Sequence, residues 1–159
     1  MKRIIIHWTA GAHQPNNKEF ESYHFLVNKD GIIIEGKYKP EDNENVNDGN
    51  YAQHTGGGNT GSIGISMCGM LNFDKPEGSK YPLTEKQCQA TFKKCAELCK
   101  KYNIPITVDT VLTHYEFGKK HPNTTSYGKI DITWLPYAVA PGMIGDYIRN
   151  KVKWYFQKL

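Results

Sequence analysis

The sequence predicts an α/β fold in one domain, a central mixed β-sheet flanked by helices, and three observations carry that prediction. The chain has 159 residues, enough for one well-buried core and short of two. Strand-like and helix-like apolar periodicities alternate along it, with no internal repeat and no linker-like stretch. Hydrophobic residues at 38% and charged residues at 23% match an ordinary globular chain, which argues against disorder as the main theme. A single domain over residues 1–159 is therefore expected.

The elements follow in order. Ile4, Ile5 and Ile6 form a short apolar run that reads as a buried strand ending on His7. The stretch NNKEFES allows a turn or two of helix before a hairpin, in which Tyr23 to Asn28 runs up, Lys29-Asp30-Gly31 turns and Ile32 to Glu35 returns. A polar loop, KPEDNENVNDGN, and a Gly-rich loop, QHTGGGNTG, lead to a strand from Ser62 to Met67. Thr84 and Gln87 form a capping box that opens a helix to about residue 102, with Cys88, Phe92, Cys95, Cys99 and Tyr102 as its inner stripe. A strand from about Thr110 to Thr113 ends on His114, and a long loop follows through Trp134. A last helix from about Met143 to Phe156 places Ile144, Ile148, Val152 and Tyr155 on one face. Trp154 and Phe156 fall off that line; they are expected to cover the edge of the core, the alternative being a partner or membrane contact.

Charge and cysteine usage narrow the function. The net charge of +4 comes from scattered basic residues without interleaved aromatics, so a nucleic-acid partner is not expected. Only three apolar residues separate Arg3 from His7, too few for a signal-peptide core or a membrane span. Cys88, Cys95 and Cys99 share a helix face at spacings of seven and four, which suits reduced core thiols rather than a metal knuckle; Cys68 stands apart in the chain.

Six histidines carry the chemical information: His7, His13, His24, His54, His114 and His121. His7 and His114 each close a predicted apolar strand, so neighbouring strands would present both imidazoles at one rim of the sheet. Two such histidines and one carboxylate make a three-ligand zinc site with a fourth position open to water. Asp131 is the candidate carboxylate, and Lys129, two residues before it, would point the same way in an extended segment. His121 is the rival third ligand, and Glu116 a further acid or base near His114. His24 is either a core histidine or a support to the site, and His13 is expected to be solvated.

These pieces together resemble a known family. The segments IIIHWTAG, YHFLVNKDGIIIEG, QHTGGGNTGSIGISMCG, LTEKQ, VLTHYEFG and KIDITWLP, spread from residue 4 to about 136, resemble the zinc N-acetylmuramoyl-L-alanine amidases of the type 2 family. That family includes phage lysozyme-amidases and the animal peptidoglycan recognition proteins. The resemblance implies that His7, His114 and Asp131 hold zinc, that Lys129 stabilises the oxyanion and that Tyr23 is the catalytic hydroxyl near the attacking water. One branch of the family carries a glutamate where this chain has Ser66, so the sequence resembles the tyrosine type.

Two departures stand out. Tyrosine-type members usually have a Cys ligand where Asp131 stands, which makes this donor set harder. Only fifteen residues separate His7 from Tyr23, so the cleft wall there is expected to be low. His54 and Thr55, just ahead of the glycines, and Trp8, beside His7, are expected to contact substrate.

The implied function is cleavage of the amide between N-acetylmuramic acid and L-alanine in peptidoglycan or a muropeptide, by a monomeric enzyme without stable membrane insertion. A phage or prophage endolysin, made in the cytoplasm without a signal peptide and released by a holin, fits this reading. The alternatives are a cytoplasmic muropeptide-recycling amidase, a non-catalytic peptidoglycan-binding module and a zinc hydrolase of another small amide.

Overall fold

Strand β1, Arg3–Trp8, is an inner, buried strand of the sheet. Side chains alternate along it, so Ile4, Ile6 and Trp8 enter the main core, while Ile5 faces the other way into a small cluster with Leu112 and Phe117. His7 follows Ile5 onto that second face. The computed structural model describes residues 1–73 and 78–159.

A short helix α1, Asn17–Ser22, follows β1 and opens on an Asn16–Glu19 capping box. Its six residues match the short segment expected before the hairpin. The hairpin itself is β2, Phe25–Val27, against β3, Ile33–Glu35, paired antiparallel and narrower than the sequence implied. Strand β4 spans Ser62–Met67, as expected. Helix α2, Glu85–Tyr102, begins at Thr84, whose side chain accepts from the Gln87 N–H. Strand β5 is Val111–Thr113. The five strands lie in the order β3-β2-β4-β1-β5, all parallel except β3, which makes the sheet mixed.

The chain does not enter a long loop at His114. Helix α3, His114–Lys120, starts there, because Thr113 caps it: the Thr113 hydroxyl accepts from the Glu116 N–H and the Glu116 carboxylate accepts from the Thr113 N–H. Helix α4, Ile144–Phe156, closes the fold. Phe92 and Cys95 of α2 and Ile148 and Val152 of α4 fill the main core on one face of the sheet. On the other face α3 places Phe117 against Ile5.

All four cysteines are free and buried, three of them along α2 as read from the spacing. Burial raises their pKa values, that of Cys95 well above the ordinary thiol range, so they behave as small apolar groups. The expectation for Trp154 and Phe156 is overturned. They are 50% and 40% exposed, because α4 turns the side carrying Ile144, Ile148, Arg149 and Val152 inward.

Candidate metal centre

β1 and β5 run parallel side by side, with Ile6 opposite Thr113, so His7 and His114 leave the sheet at the same carboxyl end. Ligands of parallel sheets collect at that end. Asp131 arrives from the loop after α3, where its carbonyl accepts from the Tyr115 N–H. Three atoms converge. His7 Nδ1 lies 3.1 Å from His114 Nδ1 and 3.1 Å from Asp131 Oδ2, and His114 Nδ1 lies 3.3 Å from Asp131 Oδ1. Among the described residues this is the group of three His, Cys, Asp or Glu side chains that could hold a metal ion.

The donor set fits zinc. Bonds of about 2.0–2.1 Å in a tetrahedron put neighbouring donors roughly 3.3 Å apart, close to the separations here. Two imidazoles and one carboxylate leave the fourth position free, the arrangement of catalytic rather than structural sites.

Burial sets the electrostatics. His7 is fully buried, which pushes its pKa down to about 4 despite the upward pull of Asp131. Burial alone would raise the Asp131 carboxyl, but hydrogen bonds with His114 and His7 outweigh it and hold the group below its usual value. An ionised carboxylate beside the neutral His7 imidazole suits a divalent cation.

Behind the three donors lies a layer of hydrogen bonds. His7 Nε2 faces His54 Nδ1 at 3.1 Å and Thr55 Oγ1 at 3.3 Å. His54 Nε2 donates to the Ser62 carbonyl at 3.2 Å. His114 Nε2 faces Ser126 Oγ at 3.0 Å, and that hydroxyl donates to the Gly56 carbonyl at 2.7 Å. Gly64 makes room for this layer: a Cβ there would sit 2.4 Å from the His54 ring.

A cleft of about 810 Å³ opens over the cluster, lined among others by Trp8, Tyr23, His54, His114, Lys129 and Asp131. The Tyr23 ring centre is 5.2 Å from that of His7. Burial and then the Asp131 charge raise the phenol pKa. Ser66 Oγ comes close enough to offset that rise in part without completing a hydrogen bond, and among the described residues it is the buried side-chain polar atom left without a partner. Lys129 is exposed at the cleft.

The remaining sequence candidates lie around the three donors or away from them. Thr55 is fully buried and offers its hydroxyl to His54 and His7. Trp8 is almost wholly buried, its indole edge-on to Phe73. His24 Nε2 donates to Asn43 Oδ1, while its Nδ1 accepts from the Gly64 N–H, so it is a core histidine. His13 is half-buried, not solvated, with Nε2 on the Pro82 carbonyl. His121 stacks on Phe117 and bonds its carbonyl, away from the three donors. Glu116 pairs with Arg149.

Two residues that sequence reasoning passed over belong to the site's support. Ser126 carried no signal. Asn43 sits inside a loop read only as polar; its amide holds Ala52 and Asn59 and so shapes the Gly-rich segment.

Comparisons with known proteins give the family of the chain. A family model described as N-acetylmuramoyl-L-alanine amidase matches residues 1–129, a span that includes His7, Tyr23 and His114 and stops at Lys129. No curated protein matches the sequence. Among solved structures the chain is similar to the N-acetylmuramoyl-L-alanine amidase LysC from Clostridium intestinale URNW, at 21% identity over 71% of this chain and 69% of that one, with a TM-score of 0.49. It is similar to the Ph2119 endolysin from Thermus scotoductus MAT2119 bacteriophage Ph2119, at 16% identity over 94% and 83%, with a TM-score of 0.50. Bumblebee PGRP-SA aligns at 19% identity over 86% and 84%, with a TM-score of 0.49. At 16% identity the likeness to the Ph2119 endolysin concerns the fold alone.

Proposed function

Because the chain belongs to the N-acetylmuramoyl-L-alanine amidase family, we propose that it is a zinc-dependent amidase acting on peptidoglycan, with His7, His114 and Asp131 as the metal ligands and Tyr23 and Lys129 as the catalytic side chains. The observation that carries this reading is the convergence of two Nδ1 atoms and a carboxylate at the floor of an open cleft.

Zinc bound there supplies a Lewis acid that polarises the amide carbonyl and acidifies water. The protein's own groups do the rest. Tyr23, beside His7 and kept protonated by burial, orients the attacking water and relays its proton toward the leaving amine. Lys129 puts an ammonium at the cleft, where negative charge develops on the carbonyl oxygen. Trp8 and His54 line the same cleft and are proposed to border the substrate.

A lytic, endolysin-like role is the preferred setting, since Tyr23 is at the site and Ser66 occupies the position of the other branch's glutamate. In that setting the chain acts as one monomeric amidase domain and reaches the wall after holin-type release. Among the described residues no helix is long and apolar enough to cross a membrane. The test is zinc per chain together with the masses of fragments released from purified peptidoglycan, for the native protein and for Asp131→Ala. One zinc and free stem peptides, both lost in the variant, are expected. Zinc without released peptides from intact wall, but with cleavage of soluble muropeptides, would favour the recycling role instead; no zinc at all would favour a binding module.

A further inference from the structure

The hydrogen bonds behind the metal centre have a direction that the atoms themselves fix. A backbone carbonyl only accepts. His54 Nε2 faces the Ser62 carbonyl, so that nitrogen carries the proton, and the neutral ring has a bare, accepting Nδ1. The bare Nδ1 points at His7 Nε2, 3.1 Å away, and at Thr55 Oγ1, 2.7 Å away. If the threonine hydroxyl gives its proton to His54, its oxygen is free to accept from His7 Nε2 at 3.3 Å. Either way His7 is the donor, since a bare Nε2 would face the His54 lone pair. The same logic holds on the other side of the site. Ser126 Oγ donates its only proton to the Gly56 carbonyl, so it can meet His114 Nε2 only by accepting.

We infer that His54 and Ser126 are positioning residues that fix both ligand imidazoles as the Nε2–H tautomer, anchored on the Ser62 carbonyl at the start of β4 and the Gly56 carbonyl of the Gly-rich loop, so that both Nδ1 lone pairs face Asp131 and the cation. This inference rests on the metal site proposed above. It gives the Gly-rich loop and its junction with β4 a second task besides bordering the cleft: two backbone carbonyls there set the tautomers of two rings from different elements. The surroundings of His54 support this: the ring is buried and its hydrogen-bond partners among the described residues are His7, Thr55 and the Ser62 carbonyl, with no carboxylate to pair a doubly protonated ring. Such partners of ligating histidines orient the ring, and their loss typically costs about 10- to 100-fold in metal affinity.

The experiment measures zinc affinity by competition with a chromophoric chelator, alongside the ¹⁵N shifts of the imidazoles in the zinc-loaded protein. In the native protein the rings of His7, His54 and His114 are expected to carry their protons on Nε2. His54→Leu, which removes the acceptor, is expected to weaken zinc binding by about 10- to 100-fold. His54→Asn, whose Oδ1 takes the place of Nδ1, is expected to recover most of that loss, which a purely structural role would not predict. Ser126→Ala tests the His114 branch independently should the His54 variants fail to fold. A proton on His54 Nδ1, or zinc affinity unchanged in both His54→Leu and Ser126→Ala, would overturn the inference. A native protein that takes up no zinc would instead overturn the metal-site reading beneath it.

Discussion

Lys129 separates binding from chemistry at the scale of single residues. It borders the cleft but is not among the three converging donors, so Lys129→Ala is expected to keep its zinc and lose about a hundred- to a thousandfold in rate, as for removal of one oxyanion donor. Turnover on purified peptidoglycan with metal content measured in parallel checks this, and near-native turnover would remove Lys129 from the mechanism. Tyr23→Phe keeps the ring beside His7 and removes only the hydroxyl. It is expected to lower the rate by roughly a hundredfold or more with unchanged zinc affinity. The family-like motifs made His7, Tyr23, His114, Lys129 and Asp131 legible as candidates. Ser126 was not legible, because a lone serine in a turn-rich stretch is an ordinary residue until the fold lays it against His114.

Two junctions decide the site at the scale of elements. Helix α3 begins on the ligand His114, held by the reciprocal Thr113–Glu116 cap. Its T-x-x-E signature was present in the sequence, but the strand pattern before it masked the start of a helix. Thr113→Ala is expected to cost about 1 kcal/mol, and urea unfolding would read it. The second junction is the crossing of His54 over β4, which Gly64 permits by lacking a side chain. Gly64→Ala would put a Cβ 2.4 Å from the His54 ring, a contact backbone and ring can relieve only by moving. Overpacking of this kind costs about 1–3 kcal/mol, and zinc affinity is expected to fall with it. An unchanged unfolding midpoint together with unchanged affinity would show that the layer tolerates the shift.

At the scale of the whole molecule, neutral histidines buried in the fold couple stability to pH. Burial pushes His24 down to about 4 from an ordinary value near 6.5, with the Asn43 hydrogen bond and the charges of Asp42 and Glu41 pulling the other way. The folded state therefore binds fewer protons than the unfolded chain between those two values. Its stability is full above about pH 6.5 and falls as the pH drops toward 4. Metal-free protein is expected to show a falling urea midpoint over that window, and a midpoint flat across it would contradict neutral burial of His24.

The sequence by itself determined the α/β class, the strand Ser62–Met67, the helix beginning at Thr84, the inward stripe of α4 and the short segment before the hairpin, because these follow from local periodicity and caps. It also marked the two strand-end histidines. Only the tertiary structure decided that His7 and His114 meet, since that depends on β5 pairing parallel to β1 across more than a hundred residues. It alone showed that His54, which lines the cleft, is also the hydrogen-bond partner of His7. The physical reason is that a hydrogen bond between side chains from different elements is set by how those elements pack, and chain spacing carries no information about that distance.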